Sequence, residues 1–250
     1  MMKNIKKFII TIVGWSIGII VTTVVVVLCI ISVIIDPVKR DLISIIKQKW
    51  GMIITKIGVK NLIVYGEDKI KDKKGTLFVS NHQSMFDVYI LSALTPPKTS
   101  FLSKKEIIFV PFIGLLMKFQ GCVFVDRSNS EKARKSLQEV IKKIKEGVNF
   151  IFFAEGTRSE DGSLQPFKPG ILKIVNELKE KTSIIPVTIV GSHKIMKKGS
   201  FLLNRGDVVV IFSDPFPPPK GKMSFEEGEK YLNDLGNVIL KNLEKYKEYN

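Results

Sequence analysis

Histidine, cysteine and tryptophan are scarce in this chain, with two of each in 250 residues. Cys29 lies inside an apolar run and Cys122 far from it. That pair offers no disulfide framework and no metal-ligand spacing. His82 and His193 are equally far apart, so no ligand cluster for a metal forms from these residue types. Neither a metal nor a cofactor is expected. The lack of disulfides fits a reducing compartment. Acidic residues are also in short supply: 24 Asp and Glu stand against 39 Lys and Arg, a formal charge of +15. The sequence pI is about 9.7. So basic a surface calls for an anionic partner. Nucleic acid is not expected to be that partner, because no recognised motif or aromatic-interleaved basic stretch is present. The chain has no internal repeat and no dividing linker. Its length leaves room for one domain plus a short attachment.

Apolar residues are concentrated at the start, which explains a mean hydropathy of +0.15 in so charged a chain. No charged residue occurs from Phe8 to Ile35, and about 20 apolar residues suffice to cross a bilayer. A signal peptide would have a shorter apolar region and a small-residue cleavage site. Here Asp36-Pro37 follows directly, so a retained membrane segment is expected. Lys3, Lys6 and Lys7 flank it on one side, and Lys39, Arg40, Lys47 and Lys49 on the other. This gives the second side only a slight excess, and leaves both a single span and a hairpin open. From Pro37 to about Gly58, Leu42, Ile45, Ile46, Trp50 and Ile53 recur at helical spacing. Such a helix either lies at a membrane interface or packs on the next domain.

Beyond Val59, strands and helices alternate, which argues one α/β domain. Strands are predicted over Thr76–Ser80, Asn149–Ala154, Ser183–Val190 and Asp207–Phe212. Helices are predicted over Ser128–Glu146, Phe167–Lys181 and onward from Ser224. Ser128 with Glu131, and Ser224 with Glu227, have capping-box spacing. The proline cluster after Asp214 should end the sheet.

Two strand ends carry candidate chemistry. The first delivers Asn81-His82-Gln83-Ser84-Met85-Phe86-Asp87 to the rim, where open α/β sheets bind ligands. With Ser84 as helix cap, Asp87 falls in the first helical turn. It can then accept a hydrogen bond from one imidazole nitrogen and leave the other to take a proton. On spacing alone, a structural or surface histidine is the favoured reading. Ser84 lacks the surroundings of a nucleophilic serine. The second end carries Glu155-Gly156-Thr157-Arg158-Ser159. Gly156 permits a tight turn there, and the Arg158 guanidinium suits a phosphate. A plain Glu155–Arg158 salt bridge is the alternative. Arg127, after Val123-Phe124-Val125-Asp126, and Lys104 and Lys105 add further cations.

Taken together, these stretches resemble the 1-acyl-sn-glycerol-3-phosphate acyltransferase family. Asn81, His82 and Asp87 match N-H-x-x-x-x-D. Phe124 to Arg127 matches an aromatic followed by arginine. Phe153 with Glu155 to Ser159 matches F-P-E-G-T-R-S, with Ala154 standing where the family has proline. Ile185-Pro186-Val187 matches an aliphatic-Pro-aliphatic strand, and Lys104 to Ile107 a Lys-x-Glu-aliphatic. Order and spacing agree over about residues 60 to 215.

The resemblance implies a mixed central sheet flanked by helices over 59–250, with 1–58 as membrane-anchoring and interfacial segment. It implies transfer of an acyl group from an acyl-CoA or acyl carrier protein thioester to the 2-hydroxyl of lysophosphatidate, giving phosphatidate. His82 and Asp87 would be catalytic. Lys104, Arg127 and Arg158 would hold the acceptor phosphate, while Asn81, Glu155, Gly156, Thr157 and Pro186 organise the site. Anionic membrane lipids are expected partners, with the domain at the cell membrane facing the cytoplasm. A same-fold enzyme for another lysolipid or a lipid amine, and more distantly a basic membrane-tethered binding protein, are the rival classes.

Overall fold

In a computed structural model, residues 2–35, 41–178, 182–219 and 221–250 are described. Asp36-Pro37, Lys39 and Arg40, and the last three residues of the helix expected to Lys181, lie outside them. The apolar run forms α1 (Met2–Ile35) and the next segment α2 (Asp41–Gly58). The two helices are antiparallel. A Cβ on Gly14 would touch Ile57, and Trp50 Nε1 donates to Thr22 Oγ1 at 3.1 Å. One face of α1, with Val25, Val26, Cys29 and Ser32, is buried, while Ile9, Ile12, Ile20 and Ile34 remain exposed. Helix α1 is also tied to the domain. Trp15 Nε1 donates to the Phe201 carbonyl (2.8 Å), and the Leu203 amide to Thr11 Oγ1 (2.9 Å).

Helix α2 packs on the protein through a face that only partly coincides with the apolar residues of the sequence pattern. Leu42, Ile45 and Ile53 point outward, while Ile43, Lys47, Trp50, Gly51 and Ile54 face the protein. A lysine inside this stripe disguised it. Lys47 Nζ is buried and donates to the Thr99 carbonyl at 2.7 Å. Burial pulls its pKa down to about 8. Gln48 Nε2 donates to the Thr95 carbonyl, and Ser44 Oγ accepts from the Lys98 amide. These polar ties fix α2 on the stretch from Thr95 to Thr99.

The remaining elements in chain order are β1 (Val59–Tyr65), β2 (Leu77–Ser80), α3 (Phe86–Leu94), β3 (Thr99–Lys104), α4 (Ile113–Phe119) and β4 (Val123–Val125). They continue with α5 (Ser130–Lys145), β5 (Asn149–Phe153), α6 (Gly170–Val175), β6 (Ile184–Val190), β7 (Gly206–Phe212) and α7 (Phe225–Lys245). The strands form one mixed sheet in the order β1-β7-β6-β2-β5-β3-β4. All neighbours run parallel except β6 and β7. Strand side chains alternate between faces. Leu77, Val79, Phe150 and Phe152 pack with α5, α6 and the start of α7. Phe78, Ile151, Ile185 and Val187 pack with α1 to α4. Burial on both faces is why β2 and β6 read as unbroken apolar runs.

Three local expectations change. Asn129, not Ser128, caps α5, accepting from the Lys132 amide at 2.9 Å. Ser128 instead donates to Asp126. Helix α6 is shorter than the segment from Phe167, because Pro169 allows it to start only there. Pairing also outlasts the first proline after β7, since the Phe216 amide still donates to the Ile184 carbonyl at 2.7 Å. The Ser224–Glu227 capping box forms as expected.

Gly51 sets the approach of α2 to α3. A Cβ there would meet the Tyr89 carbonyl oxygen at 2.6 Å and the Ala93 amide nitrogen at 2.8 Å. Alanine is the better helix former by about 1 kcal/mol. Gly51→Ala should nevertheless lower stability by about 1–3 kcal/mol, because backbone cannot yield as a side chain can. The urea midpoint of the detergent-solubilised chain checks this, and a rise would contradict the close crossing.

Candidate active site

Strand β2 ends at the sheet rim, and the residue after it extends the ladder with its side chain. Asn81 Nδ2 donates to the Ile189 carbonyl and its Oδ1 accepts from the Ile189 amide, both at 2.8 Å. This fixes the backbone from which His82 emerges. The His82 amide donates to Glu155 Oε1 at 2.7 Å, and its carbonyl accepts from the Ser159 amide at 2.8 Å. The imidazole lies on the Phe153 ring, with centroids 3.9 Å apart and planes 15° apart. His82 Nδ1 lies 2.8 Å from Asp87 Oδ2. Its Nε2 has no protein partner among the described residues, and the side chain is 16% exposed.

Asp87 is fully buried in the first turn of α3. Its Oδ2 also accepts from the Gln83 amide (2.7 Å) and the Ser84 amide (2.8 Å). The carboxylate therefore caps the helix start, and Met85 rather than Ser84 stands at the cap position. Ser84 is buried and its hydroxyl donates to the Met196 carbonyl. It is held away from the role of nucleophile.

Glu155 is buried beyond the end of β5 and makes no salt bridge with Arg158. Its Oε1 serves the His82 amide and its Oε2 accepts from the Gln165 amide at 3.0 Å. Burial raises its pKa to about 7, and the nearby Asp87 charge adds to the rise against the two amide bonds. Where the family pattern has proline, the Ala154 amide donates to the Ser80 carbonyl at 3.0 Å. Proline could not make that bond.

Arg127 Nη1 donates to the Gly156 carbonyl, which brings this cation to the Glu155 turn. Burial lowers its pKa. Gly156 has φ of +69°, and a Cβ there would press on Lys168 at 3.1 Å. Asp126 does not pair with Arg127. It pairs with Lys105 at 2.7 Å and accepts from Ser128, which together hold it down to about 2. Lys104 and Thr157 are exposed and Arg158 half-buried. Among the described residues, neither Lys104 nor Arg158 has an ion-pair partner.

Pro186 sits inside β6 opposite Val79, away from the rim. Its carbonyl accepts from the Ser213 amide where β7 has just ended, so its missing N–H falls at the last rung. Gln83, Gln165 and Ser192 join the site without a sequence motif. Their one sequence signal is position, since Ser192 too follows the end of an apolar strand.

An apolar cavity of about 230 Å³ lies among α1, α2, α3 and the start of α4. Its lining includes Gly14, Trp15, Met85, Phe86, Phe112 and Leu203. Met85 and Phe86 belong to the same turn as Asp87.

A chloroplast 1-acyl-sn-glycerol-3-phosphate acyltransferase of Brassica napus is 33% identical over 205 residues. That match takes in 82% of this chain, which spans only 59% of the plant protein's length. A 1-acyl-sn-glycerol-3-phosphate acyltransferase of Haemophilus influenzae is 28% identical over 174 residues, covering 69% of this chain and 70% of the relative. The crystal structure of the 1-acyl-sn-glycerophosphate acyltransferase PlsC from Thermotoga maritima superposes with a TM-score of 0.79 at 25% identity, covering 98% and 97% of the two chains. The acyltransferase family model matches residues 61–190, from β1 through the end of β6 and with every rim residue from Asn81 to Ser159 inside it. The chain belongs to the acyltransferase family.

Proposed function

We propose that this protein moves a fatty acyl group from a thioester to the 2-hydroxyl of 1-acyl-sn-glycerol 3-phosphate, giving phosphatidate. The observation that carries this reading is the His82–Asp87 pair at the rim, with Nε2 unpartnered among the described residues and the Arg127 cation held at the adjacent Glu155 turn. Asp87 holds Nδ1–H, so Nε2 is the basic nitrogen. It takes the proton of the acceptor hydroxyl as that oxygen attacks the thioester carbonyl. The new C–O bond forms and the C–S bond breaks. The proton then passes from Nε2 to the departing thiolate, and His82 is restored. The acceptor hydroxyl takes the place of an enzyme nucleophile, which agrees with Ser84 being turned inward. Coenzyme A or an acyl carrier protein would carry the donor.

Arg127, Arg158 and Lys104 are assigned to the acceptor phosphate. Arg158 fits because the acids nearest to it in sequence are taken: Glu160 pairs with Lys198, and Glu155 is occupied by backbone amides. Glu155, Gly156 and Thr157 form the turn between this phosphate site and His82. The cavity beside Met85 suits an acyl chain, being apolar and next to the Asp87 turn.

Residues 1–58 are assigned to membrane attachment, with the domain on the cytoplasmic side of the cell membrane. The exposed apolar face of α1, the outward Leu42, Ile45 and Ile53 of α2, and the exposed Phe109 and Phe201 support it. Anionic head groups would add about 1 kcal/mol per nearby Lys or Arg. Because α1 and α2 pack on each other and on the domain, this attachment orients the active site as well as tethering it.

His82→Ala should lose at least about 100-fold in turnover, the low end for general acid–base catalysis. Asp87→Asn should lose rate as well, since an amide can hold the wrong tautomer. Assays with acyl-CoA and acyl carrier protein donors over several lysolipid acceptors test both. Wild-type turnover by folded His82→Ala would sink the mechanism, and equal rates on acceptors without phosphate would sink the substrate assignment.

Arg158→Lys should raise the KM for lysophosphatidate, because an ammonium cannot reproduce the guanidinium fork. A raised donor KM with an unchanged acceptor KM would move Arg158 to the thioester side.

Glu155 has a testable pH signature. Its folded pKa, about 7, exceeds the ordinary 4.5. Between these values the folded chain keeps a proton that the unfolded chain has lost. Its contribution therefore falls as pH rises through that window, by something on the order of a few kcal/mol. In Glu155→Gln this decline should vanish, so urea midpoints of the two proteins between pH 4 and 8 should have different slopes. Parallel curves would mean that Glu155 is not buried as described.

A further inference from the structure

The carboxylate of Asp87 is satisfied unevenly. Three donors converge on Oδ2: His82 Nδ1, the Gln83 amide and the Ser84 amide. Oδ1 has a single partner among the described residues, the hydroxyl of Ser192. Ser192 and Asp87 are both fully buried, so water does not substitute for that bond. An unsatisfied oxygen on a buried charged group is costly.

Ser192 reaches Asp87 because of the turn after β6. Gly191 adopts φ of +87°, and a Cβ there would meet the Asp207 and Tyr249 carbonyl oxygens at 2.7 Å each. The turn therefore swings Ser192 back under the sheet rim at the head of a short 3-10 turn (Ser192–Lys194). Gln83 closes the other side. Its Nε2 donates to the Gly162 carbonyl (2.8 Å) and Asn250 Oδ1 (2.9 Å). Its Oε1 lies 3.5 Å from Ser192 Oγ. The hydroxyl has one proton to give, and the far shorter approach to Asp87 takes it.

We infer that Ser192 is a positioning residue for the acyl transfer: by holding Oδ1 it fixes the plane of the Asp87 carboxylate, and so the Nδ1–H tautomer and the aim of His82 Nε2. The inference rests on the assignment of His82 as the base. Ser192 itself touches neither substrate nor the reacting atoms. Its removal should therefore slow turnover without weakening substrate binding. Without the hydroxyl, Oδ1 is left unpartnered in a buried place, and the carboxylate tilts about the two amides that hold Oδ2, out of line with the imidazole.

The test compares Ser192→Ala, Ser192→Val and Ser192→Thr with His82→Ala in parallel. Valine and threonine have the same shape, so any crowding by the added methyl is common to both, and their difference reads the hydroxyl alone. Ser192→Ala and Ser192→Val should lose about 10- to 100-fold in kcat, the weight of a hydrogen bond to a charged group. The KM values for acceptor and donor should stay within a factor of two or so, since binding is untouched. Ser192→Thr should recover most of the rate lost in Ser192→Val. If Ser192→Ala keeps wild-type kcat, or threonine and valine are equally slow, the inference is overturned. Should Ser192→Val fail to fold, the kcat and KM values of Ser192→Ala decide alone. Wild-type turnover by His82→Ala would instead overturn the base assignment, a failure that the Ser192 variants by themselves cannot produce.

Discussion

A carboxylate without solvent has to be satisfied by protein, and at the rim of this sheet Asp87 is that carboxylate. Its donors come from two segments far apart in sequence: His82 with the two amides that follow it at the start of α3, and the Ser192 hydroxyl after β6. Because one oxygen gathers both the helix-cap amides and the imidazole, capping α3 and orienting the base are the same interaction. The helix cannot start without bringing His82 into line. This is how an N-H-x-x-x-x-D spacing becomes a chemical device.

The rest of the fold keeps those segments in register. Asn81 pins the exit of β2 to β6 with a two-way amide bond, and Glu155 pins the His82 backbone from the β5 side. Helix α3 is held from outside by α2, which approaches closely at Gly51 and is anchored by the buried Lys47 amine. Helix α2 is in turn paired with α1. The apolar N-terminal hairpin is thus mechanically continuous with the turn that carries Asp87. A perturbation of α1 or α2 therefore has a packing route to Asp87.

Strands and helices with strong periodicity were legible in the sequence. Strands β2, β5, β6 and β7 lie in the middle of the sheet, buried on both faces, and their apolar runs say so. Helices α5 and α7 each carry one clean apolar stripe. The edge strands β1 and β4, and β3 beside β4, are not marked out, since β1 and β3 mix lysine, asparagine or serine with apolar residues and β4 is only three residues long. The face by which α2 packs on the protein is not legible in the sequence, because it includes Lys47, whose burial depends on a carbonyl 52 residues away. In the site, His82, Asp87 and the Glu155 turn were visible as strand-end residues. The alternative Glu155–Arg158 bridge does not form, because backbone amides occupy Glu155, and Asp126 pairs with Lys105 rather than with its neighbour Arg127. Ser192 had no motif to announce it, and its meaning exists only once β6 lies beside β2.

The central claim concerns one proton: neutral His82 carries it on Nδ1, toward Asp87, and leaves Nε2 as the base. With only two histidines in the chain, the ¹⁵N spectrum of the imidazoles can be assigned directly, using His193→Gln to separate them. The full-length chain, ¹⁵N-labelled at histidine and held in detergent micelles, should show neutral His82 with a protonated Nδ1 and an unprotonated Nε2. It should lose that preference in Asp87→Asn. Neutral His82 found protonated at Nε2 would contradict the account, because the nitrogen facing the substrate could then accept no proton.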